Sequence, residues 1–289
     1  TEKQMDDYWT VAIFGVDSRN GNIGKGTSAD TQMLLTLNRA NGEIRLVSVY
    51  RDTLLMSNVK EGKCRKISSS YSEGGPEQAV TALNENLDLK IGDYVSFSWK
   101  AAADAVNVLG GIDMDITKAE YAYINAFITE TVDCTGIPSV HLTGPGPAHL
   151  DGVQAVAYSR LRLMDTDMNR TERQRKVIEA VLEKLKQADL PTINRLLETV
   201  LPQVATSIDI GDYLELGKNA GNYRIVKTEG FPTVYKAATL GKLGSCLIPN
   251  TLESNVTALH EFLYEDQDYQ NSDRVKEIGG EIIKQALGE

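Results

Sequence analysis

Five arginines fall between residues 160 and 175, at positions 160, 162, 170, 173 and 175, and two aspartates, Asp165 and Asp167, sit among them. Residues 169–186 read as a helix, and at 100° per residue Val177, Ile178, Val181, Leu182 and Leu185 form its core-facing stripe. Arg170 and Gln174, an i, i+4 pair, project onto that stripe, whereas Glu172, Glu179 and Glu183 face the other way. Burying a guanidinium without a partner is strongly destabilising, so an anion belongs beside it. A structural carboxylate such as Asp165 or Asp167 could serve. Because arginines outnumber aspartates here, an anionic ligand is favoured, phosphate above all, and a helix N-terminus adds its own attraction for anions.

A second cluster sits at strand ends. Residues 11–16 read as a buried strand that stops at Asp17-Ser18-Arg19 and a glycine-bearing loop. Residues 31–37 and 44–50 read as two strands joined at the Asn41-Gly42 turn. In such a hairpin the start of one strand lies beside the end of the other, which makes Asp30 a neighbour of Arg51-Asp52. A first strand parallel to the third would bring Asp17 and Arg19 to the same edge. Taken singly, Asp17, Ser18 and Asp30 are ordinary turn and cap residues. Their convergence with arginines at strand ends is the arrangement in which open α/β sheets hold their sites. Carboxylate oxygens suit Mg²⁺ or Mn²⁺, which bridge phosphate oxygens while arginines neutralise the rest. The expected chemistry is a divalent metal with a pyrophosphate or polyphosphate. His141, His149 and His260 show no ligand spacing, and no G-x-S-x-G elbow supports a serine hydrolase.

These residues need a scaffold. Further along, residues 57–72 read as a polar loop, 76–87 as a helix, and 100–109 as an alanine-rich helix ending at Gly110-Gly111. Residues 112–116 and 155–160 read as strands, 191–206 and 252–264 as helices, with strands around 224–248 between them. Without a repeat or a long linker, the 289 residues read as one α/β domain around a mixed sheet. With 42% apolar residues the chain can bury a core without a metal or a disulfide scaffold. Its net charge of −10 is opposite to that of a nucleic-acid binder, and no apolar run is long enough to cross a membrane.

Read in order, Phe14-Gly15-Val16-Asp17-Ser18-Arg19, Asp30-Thr31, Val47-Ser48-Val49-Tyr50-Arg51-Asp52, Lys66-Ile67-Ser68, Leu109-Gly110-Gly111-Ile112-Asp113, Leu150-Asp151-Gly152-Val153-Gln154-Ala155, Tyr158-Ser159-Arg160-Leu161-Arg162 and the segment from Arg170 to Gln174 resemble the motifs of the LytR-CpsA-Psr family. The resemblance spans roughly residues 10–265 of a single catalytic domain occupying 1–289. It implies a three-layer α/β/α sandwich whose sheet and helices enclose an apolar tunnel for a lipid tail. It also implies an enzyme on the extracytoplasmic face of a bacterial membrane, usually Gram-positive, tethered by an N-terminal membrane helix that lies outside this chain. Such enzymes move a phosphorylated glycan from a polyprenyl-pyrophosphate carrier to peptidoglycan, building wall teichoic acid, capsule or related polymers.

By position, Asp17 and Asp30 resemble the Mg²⁺ carboxylates. Arg51, Arg160, Arg162, Arg170 and Gln174 resemble the pyrophosphate clamp, and Lys66 and Asp167 fall on motif positions as well. The chain departs from the family at Ser28, where arginine is frequent, at Tyr50, where proline is common, and at Ser68, where asparagine is common. Arg19 could replace the charge missing at Ser28. Metal and arginines would stabilise the charge that develops as the phosphoanhydride breaks, with Arg51 and Arg170 at its centre, while Asp52 could accept the acceptor's proton. A pyrophosphatase using water, or a module that holds a polyprenyl phosphate without chemistry, would use the same residues. Of the three cysteines, Cys64 precedes Lys66 by two residues, while Cys134 and Cys246 lie in polar segments away from the motifs. A Cys134–Cys246 disulfide is the expected pairing in an oxidising compartment.

Overall fold

A computed structural model describes residues 5–18, 21–162 and 166–288. Its elements in chain order are β1 (Tyr8–Val16), β2 (Ala29–Asn38), β3 (Glu43–Val49), β4 (Leu54–Asn58), β5 (Lys63–Lys66), α1 (Ser68–Leu87), β6 (Ile91–Ser98), α2 (Trp99–Val108), β7 (Ile112–Ile116), α3 (Lys118–Thr135), β8 (Gly146–Leu150), α4 (Gly152–Arg160) and α5 (Asp167–Lys186). There follow α6 (Leu190–Val200), β9 (Val204–Thr206), α7 (Ile210–Lys218), β10 (Arg224–Phe231), β11 (Tyr235–Thr239), β12 (Ser245–Pro249), α8 (Leu252–Tyr264) and α9 (Asp273–Leu287). The described residues form two compact units: residues 5–14, 24–96 and 224–288, and residues 15–18, 21–23, 97–162 and 166–223.

The first unit is built on a mixed sheet in which strands run in the order β10, β3, β2, β1, β6. The Asn41-Gly42 hairpin forms as expected: β2 and β3 are antiparallel, with Leu34 opposite Val47 and Met33 opposite Ser48. Strand β10 adds to β3 in parallel, Phe231 beside Val49. Phe14, Leu34, Leu46, Leu54, Leu55, Ile67 and Tyr71 fill the core of this unit.

The segment 57–72 is not a loop. It contains the end of β4, the antiparallel strand β5, and the first residues of α1. The side chain of the fully buried Asn86 holds β4 in place: Oδ1 accepts from Met56 N at 2.8 Å and Nδ2 donates to Met56 O at 2.9 Å. Helix α1 starts eight residues before the expected Pro76 because Gly75, at φ 73°, bridges a break that no residue with a Cβ would take easily. Asn86→Ala should cost about 3 kcal/mol, since it strands a buried N–H and C=O together. Chemical denaturation will show this as a lower midpoint at unchanged slope.

His260 is buried in the same unit, stacked on Tyr269 with centroids 3.7 Å apart, and its Nε2 donates to Leu87 O at 3.0 Å. Burial pushes its imidazole below the usual range. Only the unfolded chain then gains this proton as pH drops below about 6.5, so stability is full above that value and falls on acidification. Thermal unfolding between pH 5 and 7.5 should show this slope, and His260→Gln should flatten it.

The second unit has a helical core. Val106, Ile112, Ile124, Ile128, Val153, Ala157 and Tyr158 pack together, with Val177 and Val181 of α5 at the edge. Residues 155–160, which read as a strand, belong to α4. A capping box starts this helix: Asp151 Oδ1 accepts from Gln154 N and Gln154 Oε1 from Asp151 N, each at 2.8 Å. Residues 152–158 are all buried, so no helical period marks the helix in the sequence. The small side chains of α2 serve close packing: a Cβ at Gly152 would overlap the carbonyl of Ala103.

Candidate functional site

In the first unit, carrying the β2–β3 register three pairs on from Met33–Ser48 sets Asp30, inside β2, opposite Arg51, two residues past the end of β3. Arg51 Nη1 meets Asp30 Oδ1 at 2.6 Å, and Arg51 Nε lies 3.9 Å from Asp52 Oδ2. Lys66, at the end of β5, places Nζ 3.0 Å from Asp52 Oδ1. All four side chains are half-buried, each between 22% and 34% exposed, so they are held yet remain accessible. The backbone fixes them: Thr53 N and Oγ1 both donate to Tyr50 O, Ile67 N to Thr53 O at 2.9 Å, and Ser68 N to Arg51 O at 3.2 Å. Tyr50 is buried against Tyr235, and Gly230 makes room for it; a Cβ at Gly230 would collide with the Tyr50 hydroxyl. The Ser28 side is exposed.

In the second unit, Asp17 follows β1 directly, and its Oδ1 is buried without a hydrogen-bond partner among the described residues. Arg19 and Asp165 lie outside the described residues. Arg170, 3% exposed on the first turn of α5, meets Asp167 at 2.7 Å. Gln174 is half-buried, with Oε1 buried and lacking a partner among the described residues. Arg160 ends α4, lies 3.6 Å above the Trp99 ring, donates to Thr131 Oγ1 at 2.8 Å and pairs with Glu130 at 3.0 Å. Arg162 is exposed.

The helix stripe is inverted in degree. Val177, Ile178, Val181, Leu182 and Leu185 are only half-buried, whereas the buried residues of α5 are Arg170, Thr171, Arg173 and Arg175. Sequence reasoning missed Arg173, which pairs with Glu120 at 3.0 Å and donates to Leu161 O at 2.9 Å. The one signal available was that Arg173 lies three residues after Arg170, on the same side of the helix. Carboxylates therefore do sit beside Arg160, Arg170 and Arg173, in addition to any ligand.

The expected Cys134–Cys246 bridge does not form. All three thiols are free; Cys246 is buried in β12 with Sγ 3.6 Å from Gly244 O, and Cys134 is half-buried near the end of α3. Burial pushes the Cys64 thiol up to about 11, which makes it unreactive at neutral pH. Among the described residues no three His, Cys, Asp or Glu side chains cluster as a metal site. Mg²⁺ asks for less, one or two carboxylates completed by water and phosphate, and the orphaned Asp17 oxygen fits that need.

The LytR_cpsA_psr family profile matches residues 1–243. The chain belongs to the LytR-CpsA-Psr family. Among relatives of this family, a polyisoprenyl-teichoic acid–peptidoglycan teichoic acid transferase TagV from Bacillus subtilis (strain 168) is 27% identical over 212 residues, 72% of this chain and 52% of that protein. A TagU transferase of the same description from Enterococcus faecalis is 30% identical over 220 residues, 75% of this chain and 66% of that protein. The chain thus spans between about half and two thirds of the length of these relatives. The LytR-CpsA-Psr fold is shared with solved structures: B. subtilis TagV, at TM-score 0.72 and 23% identity over 92% of this chain and 99% of the other, and TagT bound to LIIa-WTA, at TM-score 0.70 and 21% identity over 92% and 93%. Among the described residues no helix is long and apolar enough to cross a membrane.

Proposed function

We propose that this chain is the catalytic domain of a glycopolymer–peptidoglycan phosphotransferase. In this reading it takes a phosphorylated glycan from a polyprenyl-pyrophosphate carrier and attaches it to peptidoglycan at the extracytoplasmic face of a bacterial membrane, to which an N-terminal helix tethers the whole protein. The teichoic acid transferases among its relatives support the reaction class. The observation that carries the reading is the arginine-rich start of α5, where Arg170 is 3% exposed, beside a helix N-terminus built to receive anions.

Each residue has a role in that reading. Arg160, Arg162, Arg170 and Gln174 bind and orient the pyrophosphate, and Arg51, Lys66 and Arg19 balance its remaining charge. Asp167 keeps Arg170 in place through the 2.7 Å pair. Asp17 and Asp30 would hold Mg²⁺ or Mn²⁺, which supplies charge neutralisation of the phosphates when bound. Asp52, held by Lys66 at one oxygen, accepts the proton of the attacking hydroxyl. The lipid tail would occupy the apolar tunnel that the family resemblance implies.

Turnover of a lipid-pyrophosphate glycan with and without a peptidoglycan acceptor tests the reading. Transfer only when the acceptor is present supports it. Hydrolysis without acceptor makes the protein a pyrophosphatase, and binding without turnover makes it a lipid-phosphate-binding module; either result replaces the proposal.

A further inference from the structure

Resting on the function proposed above, we infer that Glu120, Arg173 and Tyr158 are positioning residues that aim the phosphate-binding arginines Arg160 and Arg162. Leu161 stands between those two arginines, and its carbonyl accepts from Arg173 Nη1 at 2.9 Å. Arg173 in turn binds Glu120 Oε1 through Nε at 3.0 Å. The other Glu120 oxygen accepts from Thr117 N at 3.0 Å, closing the capping box of α3. Tyr158, two residues before Arg160 on α4, is buried as well, and the nearby Glu120 carboxylate helps to raise the pKa of its hydroxyl.

The Glu120–Arg173 pair therefore ties together the start of α3, the backbone just past α4 and the buried side of α5. The three side chains are 6% (Glu120), 4% (Arg173) and 1% (Tyr158) exposed, so none of them can reach a substrate in solvent. Burial and the neighbouring carboxylate keep the Tyr158 hydroxyl protonated, far above its usual range, which suits a fixed donor. A buried ion pair is a poor source of net stability, since desolvation offsets its attraction. Its value here is geometric. Arg173 reaches Glu120 with Nε and Leu161 O with Nη1 from one rigid plane, so the backbone between the two working arginines has one setting; lysine, a point charge, cannot hold both.

The test measures binding of inorganic pyrophosphate with Mg²⁺ to the full chain by calorimetry, at a temperature well below each variant's Tm. Glu120→Gln should weaken binding roughly tenfold or more, because a displacement of about 1 Å in a binding group is enough for that loss. Arg173→Lys should recover part of the affinity, and Tyr158→Phe, which deletes one hydroxyl from the network, should weaken binding a few-fold with the fold intact. Lower Tm values with unchanged pyrophosphate affinity would overturn the inference and leave the three residues purely structural. If Glu120→Gln does not fold, the Tyr158→Phe affinity decides by the same criterion. Arg170→Ala separates the two levels: full pyrophosphate binding by that variant overturns the functional reading and this inference with it, whereas loss in Arg170→Ala with no change in Glu120→Gln or Tyr158→Phe overturns the inference alone.

Discussion

Arg170→Ala is expected to abolish glycopolymer transfer while leaving a folded protein. Removing one charged hydrogen bond to a pyrophosphate costs about 1.5–3 kcal/mol in binding, and removing a donor aimed at charge that develops in the transition state costs roughly 10²–10³-fold in rate. Arg170 is buried while its partner Asp167 is 30% exposed, so water can solvate the carboxylate that the substitution leaves behind. The fold should therefore lose little compared with the reaction. Steady-state transfer rates beside a thermal melt will show this contrast, and near-normal transfer would remove the arginine block from the mechanism.

Removal of divalent metal is expected to have a comparable effect. Mg²⁺ retains several waters and shares its ligands with the substrate, so Asp17 and Asp30 alone should bind it weakly, and more tightly once pyrophosphate is present. Excess chelator should stop transfer, and added Mg²⁺ or Mn²⁺ should restore it. Asp17→Asn keeps the shape of a side chain whose buried Oδ1 has no hydrogen-bond partner among the described residues, so it should weaken Mn²⁺ binding, read by electron paramagnetic resonance, without unfolding the chain. Transfer that persists in chelator, together with unaltered Mn²⁺ binding by Asp17→Asn, would eliminate the metal.

Where local chemistry was decisive, the sequence was legible. The Asn41-Gly42 turn is enough to pair β2 with β3, and that pairing alone sets Asp30 against Arg51. At the start of α5 the burial of Arg170 was legible from its place on the apolar stripe, whereas that of Arg173 and Arg175 was not. Two regions were not legible. Helix α4 is buried on every side and so lacks the periodicity that distinguishes a helix from a buried strand, although Asp151 and Gln154 carried a cap signal. Strand β5 hides in a polar stretch, and β4 is held by hydrogen bonds to Met56 from Asn86, 30 residues further along the chain near the end of α1. Glu120, 53 residues from Arg173, is a partner that only tertiary structure could reveal. The cysteine pairing failed because compartment and loop length say nothing about where two thiols finally lie.

The contact between Tyr50 and Gly230 makes two distant positions interdependent. Tyr50 N donates to Phe231 O at 2.9 Å and its hydroxyl occupies the space that a side chain at 230 would need. Proline at 50, which the family resemblance implies for this position, would lose that hydrogen bond and leave a hollow above residue 230. A larger residue at 230 collides with the tyrosine, yet it could fill the hollow left by a proline. Each exchange made alone should be harmful, and the two made together should be tolerated. Motif swaps between this chain and its relatives at the Arg51-Asp52 turn will therefore succeed only when the facing end of β10 is exchanged with them.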